Sequence, residues 1–232
     1  MKLVNIDEDI PEEFFIFVNR LNPVTRNNFD MTGTFTSAAF GSLAANTDFL
    51  AKYIDGSAQY APYQPCHTDC LAISPYTLTA INDYRIEYDA EYVRTQHFKQ
   101  FPSRFSATFA FGDFTTCETV AKKYDWDIAS VKRFSLVNTP LNRIVKVNME
   151  HVSLARHAYR VSSFENPETL WEAYWKGVAD IKMELPAATF ERRVYSSGVI
   201  WEYLIEGCLK SKEHAHNQAL QPTDPTPGGL GG

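Results

Sequence analysis

Cysteine, glycine and long apolar runs are all scarce in this sequence of 232 residues. The four cysteines (Cys66, Cys70, Cys117 and Cys208) are too few for a disulfide framework in a chain of this length, and are expected to be reduced thiols. Of the eleven glycines, four fall in the last five positions, so the body of the chain has few. It contains neither a G-x-G-x-x-G nor a G-x-x-x-x-G-K-[ST] loop, which excludes nucleotide binding through those two devices. The most apolar short run is Phe14-Phe15-Ile16-Phe17-Val18, five residues against the roughly 20 that a spanning helix needs. No membrane segment is expected. The N-terminus turns acidic at Asp7-Glu8-Asp9 without an apolar core of a signal peptide, so the expected location is cytoplasmic. Excess positive charge is missing too: 22 Lys and Arg stand against 28 Asp and Glu, a net charge of −6. Non-specific nucleic-acid binding needs a cationic footprint and is disfavoured as the main activity.

What is present is an ordinary globular composition, with 44% apolar and 22% charged residues. The chain reads as one α+β domain over residues 1–212, followed by a disordered tail over 213–232. Asn217 to Gly232 holds three prolines and a single charge, Asp224. Glu13 to Leu21 is a strand candidate, and residues 56–80, with Pro62, Pro65 and Pro75, read as a long loop. Ile81, Tyr84, Tyr88 and Tyr92 fall at helical spacing, and Pro102 would close that helix. Phe105 to Phe111 alternates as a half-buried strand should, with Phe105, Ala107, Phe109 and Phe111 on one face. Thr115-Thr116-Cys117-Glu118 has the spacing of a capping box for a short helix to Tyr124. Ile144 to Met149 suggests a strand. Asn166-Pro167-Glu168 opens a helix whose buried face is Leu170, Trp171, Tyr174, Trp175 and Val178. Gly198 to Leu209 reads as one strand.

Four constellations could carry chemistry. Cys66-His67-Thr68-Asp69-Cys70 offers metal-ligand types, but a closed zinc site needs a second pair that the sequence lacks, so no metal is expected. Spacing selects no cysteine–histidine nucleophile pair. Arg104, Ser106 and Thr108 would share one face of the mid-chain strand, just after Phe101-Pro102-Ser103, with Glu91 and Arg94 upstream. An arginine there offers a planar fork of donors suited to a pyrophosphate or carboxylate. Glu202 and Glu206 interrupt the last apolar strand and share a face with Leu204. That face either meets water, as on an edge strand, or lines a polar cleft.

The Pro102-Ser103-Arg104-x-Ser106 region, the Tyr174-Trp175-Lys176-Gly177 helix and the closing Glu202-Tyr203-Leu204-Ile205-Glu206-Gly207 strand, in that order, resemble the ADP-ribosyltransferase superfamily. They look most like an uncharacterised bacterial branch of it, the DUF2441 type. Trp201-Glu202-Tyr203-Leu204-Ile205 is similar to the catalytic strand of poly(ADP-ribose) polymerases, and Thr108 to Asp113 resembles their Tyr-Phe-Ala-Asp segment. The resemblance implies split antiparallel β-sheets with flanking helices and NAD, as substrate, in the cleft between them. It implies Glu202 as the catalytic carboxylate and Arg20, Ser103, Arg104 and Ser106 as cofactor-binding residues, with Arg26 a competitor for Arg20. The reaction implied is cleavage of the nicotinamide–ribose bond and transfer of ADP-ribose to a protein, nucleic acid or small molecule, or to water. Ile200 stands two before Glu202, where arginine-modifying members carry Glu or Gln, so an arginine acceptor is not implied. The alternative is a non-catalytic interaction module on the same scaffold. Asn217-Gln218-Ala219-Leu220-Gln221-Pro222-Thr223 resembles the translated edge of an integron cassette recombination site, which implies a mobile bacterial gene.

Overall fold

The computed structural model describes residues 10–18, 29–37, 40–41, 47–58, 75–161, 167–187 and 191–212. The expected tail, Arg20, Arg26 and the Cys66–Cys70 segment lie outside the described residues. Nine strands and five helices of nine residues or more are described. The strands are β1 (Phe14–Phe17), β2 (Thr34–Thr36), β3 (Thr108–Ala110), β4 (Val131–Leu136), β5 (Arg143–Asn148), β6 (Lys182–Pro186), β7 (Arg192–Ser196), β8 (Trp201–Glu206) and β9 (Cys208–Ser211). The helices are α1 (Thr47–Asp55), α2 (Pro75–His97), α3 (Phe114–Tyr124), α4 (Met149–Val161) and α5 (Pro167–Trp175). The architecture is α+β, and among the described residues no helix is long and apolar enough to cross a membrane.

All described strand pairs are antiparallel. One sheet has the order β1-β4-β9-β2, a second has β3-β8-β5, and β6 and β7 form a hairpin. Two features join the larger sheets. Phe15 exchanges both backbone hydrogen bonds with Phe111, each 2.8 Å, just past the end of β3. The chain also passes from β8 to β9, and so from one sheet to the other, at Gly207.

Strand β8 separates two cores by the two-residue period of its side chains. Leu204 faces α2, α4 and α5, where it joins Ile86, Ala90, Val93, Val152, Trp171, Tyr174 and Trp175. Tyr203 and Ile205 face the four-stranded sheet and pack with Phe14, Ile16, Phe134 and Leu209. Helix α5 is as the sequence predicts: Leu170, Trp171, Tyr174 and Trp175 are buried, whereas Val178 lies beyond its end and is exposed.

Several expectations are corrected. Gly198 to Leu209 is not one strand, because Gly207 turns the chain between β8 and β9. Nor is β8 an edge, since β3 and β5 flank it on either side. The run 105–111 is not strand throughout: Ser103 to Ser106 is a turn, closed by Ser106 N–H donating to Ser103 O at 3.1 Å, and only Thr108 to Ala110 pair with β8. Ala110, not Phe109, is therefore buried in the strand. Helix α2 begins at Pro75, inside the expected loop, and ends at His97 rather than at Pro102. Its buried face is Ile86, Ala90 and Val93 together with the ion pair Glu91–Arg94, while Tyr84, Tyr88 and Tyr92 stack along its wetter side. The N-cap of α3 is Asp113, whose carboxylate accepts from Thr116 N–H at 2.7 Å, rather than Thr115.

Candidate functional site

A cleft of about 1040 Å³ opens beside the junction of the two larger sheets. Its walls come from β1 (Phe17), the turn before β3 (Arg104), β3 and its extension (Phe109, Phe111), the loop after α3 (Asp125, Trp126, Asp127), β4 (Lys132), α4 (Val152, Arg156) and β8 (Glu202). Phe17, Phe109, Phe111, Tyr124 and Trp126 give the lining an aromatic part. Phe17 meets Phe111 and Trp126 edge-on, with ring centroids 5.9 and 5.2 Å apart. Trp126 is 45% exposed, and Phe109 is also partly open to solvent. Such a surface suits a planar ring, and the cations and carboxylates among the rings can orient a polar ligand.

Glu202 sits at the wall of this cleft, 5% exposed. Its backbone pairs with Val147 of β5, and the partner of its neighbour Tyr203 is Ala110 of β3. The carboxylate Oε1 lies 3.5 Å from Arg104 Nη1 and accepts from Tyr174 O–H at 3.4 Å. Arg104 Nη1 also donates to Tyr174 Oη at 2.5 Å. The other two guanidinium nitrogens donate to Glu87, Nε at 2.7 Å and Nη2 at 2.9 Å, in a two-pronged ion pair. The guanidinium stands over the rings of Phe109 and Tyr174, 5.1 and 5.4 Å from their centroids.

The electrostatics of the four groups follow from burial and mutual charge. Burial pushes the Glu202 carboxyl above the usual carboxylate range, with Arg104 and Tyr174 pulling it back part of the way. Burial also raises Glu87, but there the Arg104 charge and its hydrogen bonds win and hold the carboxyl low. Burial opposes the charge on Arg104, and the surrounding Tyr174, Glu87 and Glu202 more than offset it. Burial keeps the Tyr174 phenol protonated, well above its ordinary value.

Arg104 and Glu202, two of the residues expected from sequence, are thus brought together in the cleft. Ser103 and Ser106 are not among its lining residues. Ser103 Oγ donates to Glu91 at 2.9 Å, and its N–H donates to Glu206 Oε1 at 3.0 Å. Ser106 Oγ donates to the same Glu206 oxygen at 2.5 Å. Glu206 is completely buried, and Arg143 approaches its other oxygen at 3.9 Å. These two serines therefore satisfy buried carboxylates on the helix side of β8. Sequence reasoning missed Glu87 and Tyr174 as polar partners of Arg104 and Glu202, and the lining residues Phe17, Trp126, Lys132 and Arg156. Trp126 carried a signal, because it stands between two aspartates directly after a helix end.

Among the described residues, His97, Glu168 and Glu172 form a group with ligand atoms within 4.8 Å of one another. They lie at the surface, where His97 and Glu168 bond at 3.1 Å across α2 and α5, and Lys176 holds Glu172 at 2.5 Å. None of the three is among the residues that line the cleft. No protein-family model matches the chain, and no curated protein matches it.

Proposed function

We propose that this chain is an NAD-dependent ADP-ribosyltransferase, or an NAD glycohydrolase on the same scaffold, with NAD in the cleft and Glu202 as its catalytic carboxylate. The observation that carries this reading is the Glu202 carboxylate itself, fixed by a central strand at the wall of a partly aromatic cleft and touched by Arg104 and Tyr174. The two antiparallel sheets beside the cleft support the split-sheet architecture that the sequence resemblance implies. Rupture of the bond between nicotinamide N1 and ribose C1′ sends the electron pair to nicotinamide and leaves an oxocarbenium-like centre. An ionised Glu202 would stabilise that charge and hold the ribose hydroxyls. The acceptor heteroatom, or water, then bonds to C1′ and releases its proton to solvent.

A non-catalytic binding module is favoured by one observation. The fork of Arg104 is filled by Glu87, and Ser103 and Ser106 serve buried carboxylates, so three residues expected to hold NAD are engaged within the protein. Thermal denaturation with and without NAD tests the shared premise. A ligand at 100 times its Kd stabilises the folded state by about 2.7 kcal/mol. An upward shift of Tm with NAD, retained in Glu202→Gln, is expected, and no shift at millimolar NAD overturns the assignment of this cleft to NAD.

A further inference from the structure

We propose that Glu87, Arg104 and Tyr174 form a clamp that sets the orientation and charge of the Glu202 carboxylate, and that Arg104 is a positioning residue rather than a ligand-phosphate contact. The inference rests on the reading of Glu202 as the catalytic group and adds the residues through which it is held.

The geometry leaves Arg104 little freedom to serve a ligand. Nε and Nη2 are both engaged by Glu87, and Nη1 is shared between Tyr174 and Glu202. Its side chain is 7% exposed, and its plane is fixed by the rings of Phe109 and Tyr174. Turning the fork towards a phosphate would strand Glu87, a partly buried carboxylate, without its cation. Tyr174 is equally fixed. It is fully buried and packs edge-on against Trp171 and Trp175, with centroids 5.6 and 4.9 Å away, so its hydroxyl has one place to go. The strand fixes the Glu202 backbone, and the clamp then fixes what remains, the side-chain torsions.

The groups facing Glu202 come from every element around it. Glu87 lies on α2, Arg104 on the turn before β3, and Tyr174 on α5. Arg156 of α4, Lys132 of β4, and Asp125 and Asp127 after α3 line the same cleft. His151 of α4 packs behind Tyr174, and Lys146 of β5 lies over Trp201. Glu206, farther along β8, has its own partners in Ser103, Ser106 and Arg143. Two of these groups act on Glu202 in opposite senses. The Tyr174 hydroxyl donates to the ionised carboxylate and favours it, whereas the Glu87 charge repels it and offsets Arg104.

The test is an infrared titration of the full chain, following the carboxyl band that Glu202→Gln removes, in the wild type, Tyr174→Phe and Glu87→Gln. Both substitutions keep the shape of the side chain. The Glu202 midpoint is expected to rise in Tyr174→Phe and to fall in Glu87→Gln. Displacement in the same direction in both, or in neither, overturns the clamp, and if one variant does not fold, the sign in the other decides. The acid limb of the pH–rate profile for nicotinamide release should move with the same signs. Absence of nicotinamide release from the wild type would sink the transferase reading alone, because the infrared titration needs no NAD.

Discussion

The Glu202 side chain leaves a strand paired on both edges and ends in a site where burial raises its pKa. The folded state therefore binds the Glu202 proton more tightly than the unfolded chain does, and stability contributed at this position falls as pH rises above the unfolded value of about 4.3. Glu202→Gln should melt at a higher temperature than the wild type at pH 7, with the gap closing below about pH 4. A thermal denaturation series across pH checks this, and an unchanged gap would place the cost elsewhere. His151 has the opposite sign. It is fully buried, with no well-aligned partner for either ring nitrogen, and burial lowers its pKa. Its contribution is complete above about pH 6.5 and is lost as pH falls through the lowered folded value. His151→Phe should flatten the acid side of the stability profile. Glu202 was legible in the sequence because a carboxylate interrupts an apolar run. Arg104 was legible as a candidate from its place after a proline turn, but its contact with Glu202, and that of Tyr174, was not, since the two lie 98 and 28 positions away.

Elements were legible where one face is wholly apolar and illegible where a buried charge disguises it. Helix α5 shows its core face openly in Leu170, Trp171, Tyr174 and Trp175. Helix α2 hides its own, because Glu91 and Arg94 neutralise each other and go inside, leaving the tyrosines to mimic an apolar stripe. The turn at Ser103 to Ser106 was hidden for a similar reason: the Ser106 hydroxyl and the Ser103 N–H answer Glu206, about a hundred positions away, and the Ser103 hydroxyl answers Glu91. At Gly207 the break between β8 and β9 is steric as well as topological. A Cβ there would lie 2.7 Å from Asn142 Oδ1 and 3.3 Å from Leu136 Cδ1. Asn142 cannot yield easily, because its amide donates to Val137 O at 2.7 Å and its oxygen accepts from Thr139 at 3.0 Å. Gly207→Ala is expected to destabilise by about 1–3 kcal/mol, read from the denaturant midpoint. Asp113→Ala, which removes the N-cap of α3, should cost about 1 kcal/mol. An unchanged midpoint in Gly207→Ala would mean that Asn142 and Leu136 give way.

At the scale of the whole molecule, the cleft lies beside the Phe15–Phe111 pair at which the two antiparallel sheets meet, and α4 and the end of α3 supply further walls. The α+β class was readable from strand and helix periods. The cleft was not, because it is built from single residues of many elements brought together only by the sheet pairing. The proposed function rests on one claim, that Glu202 is the group on which bond cleavage depends. The most direct measurement is nicotinamide release from NAD by the purified full chain, wild type beside Glu202→Gln. The account predicts release by the wild type and a loss of about two orders of magnitude or more in the variant, comparable to removing a principal electrostatic contact to the transition state, with the fold intact. Equal release by both proteins, or none by the wild type, would contradict it.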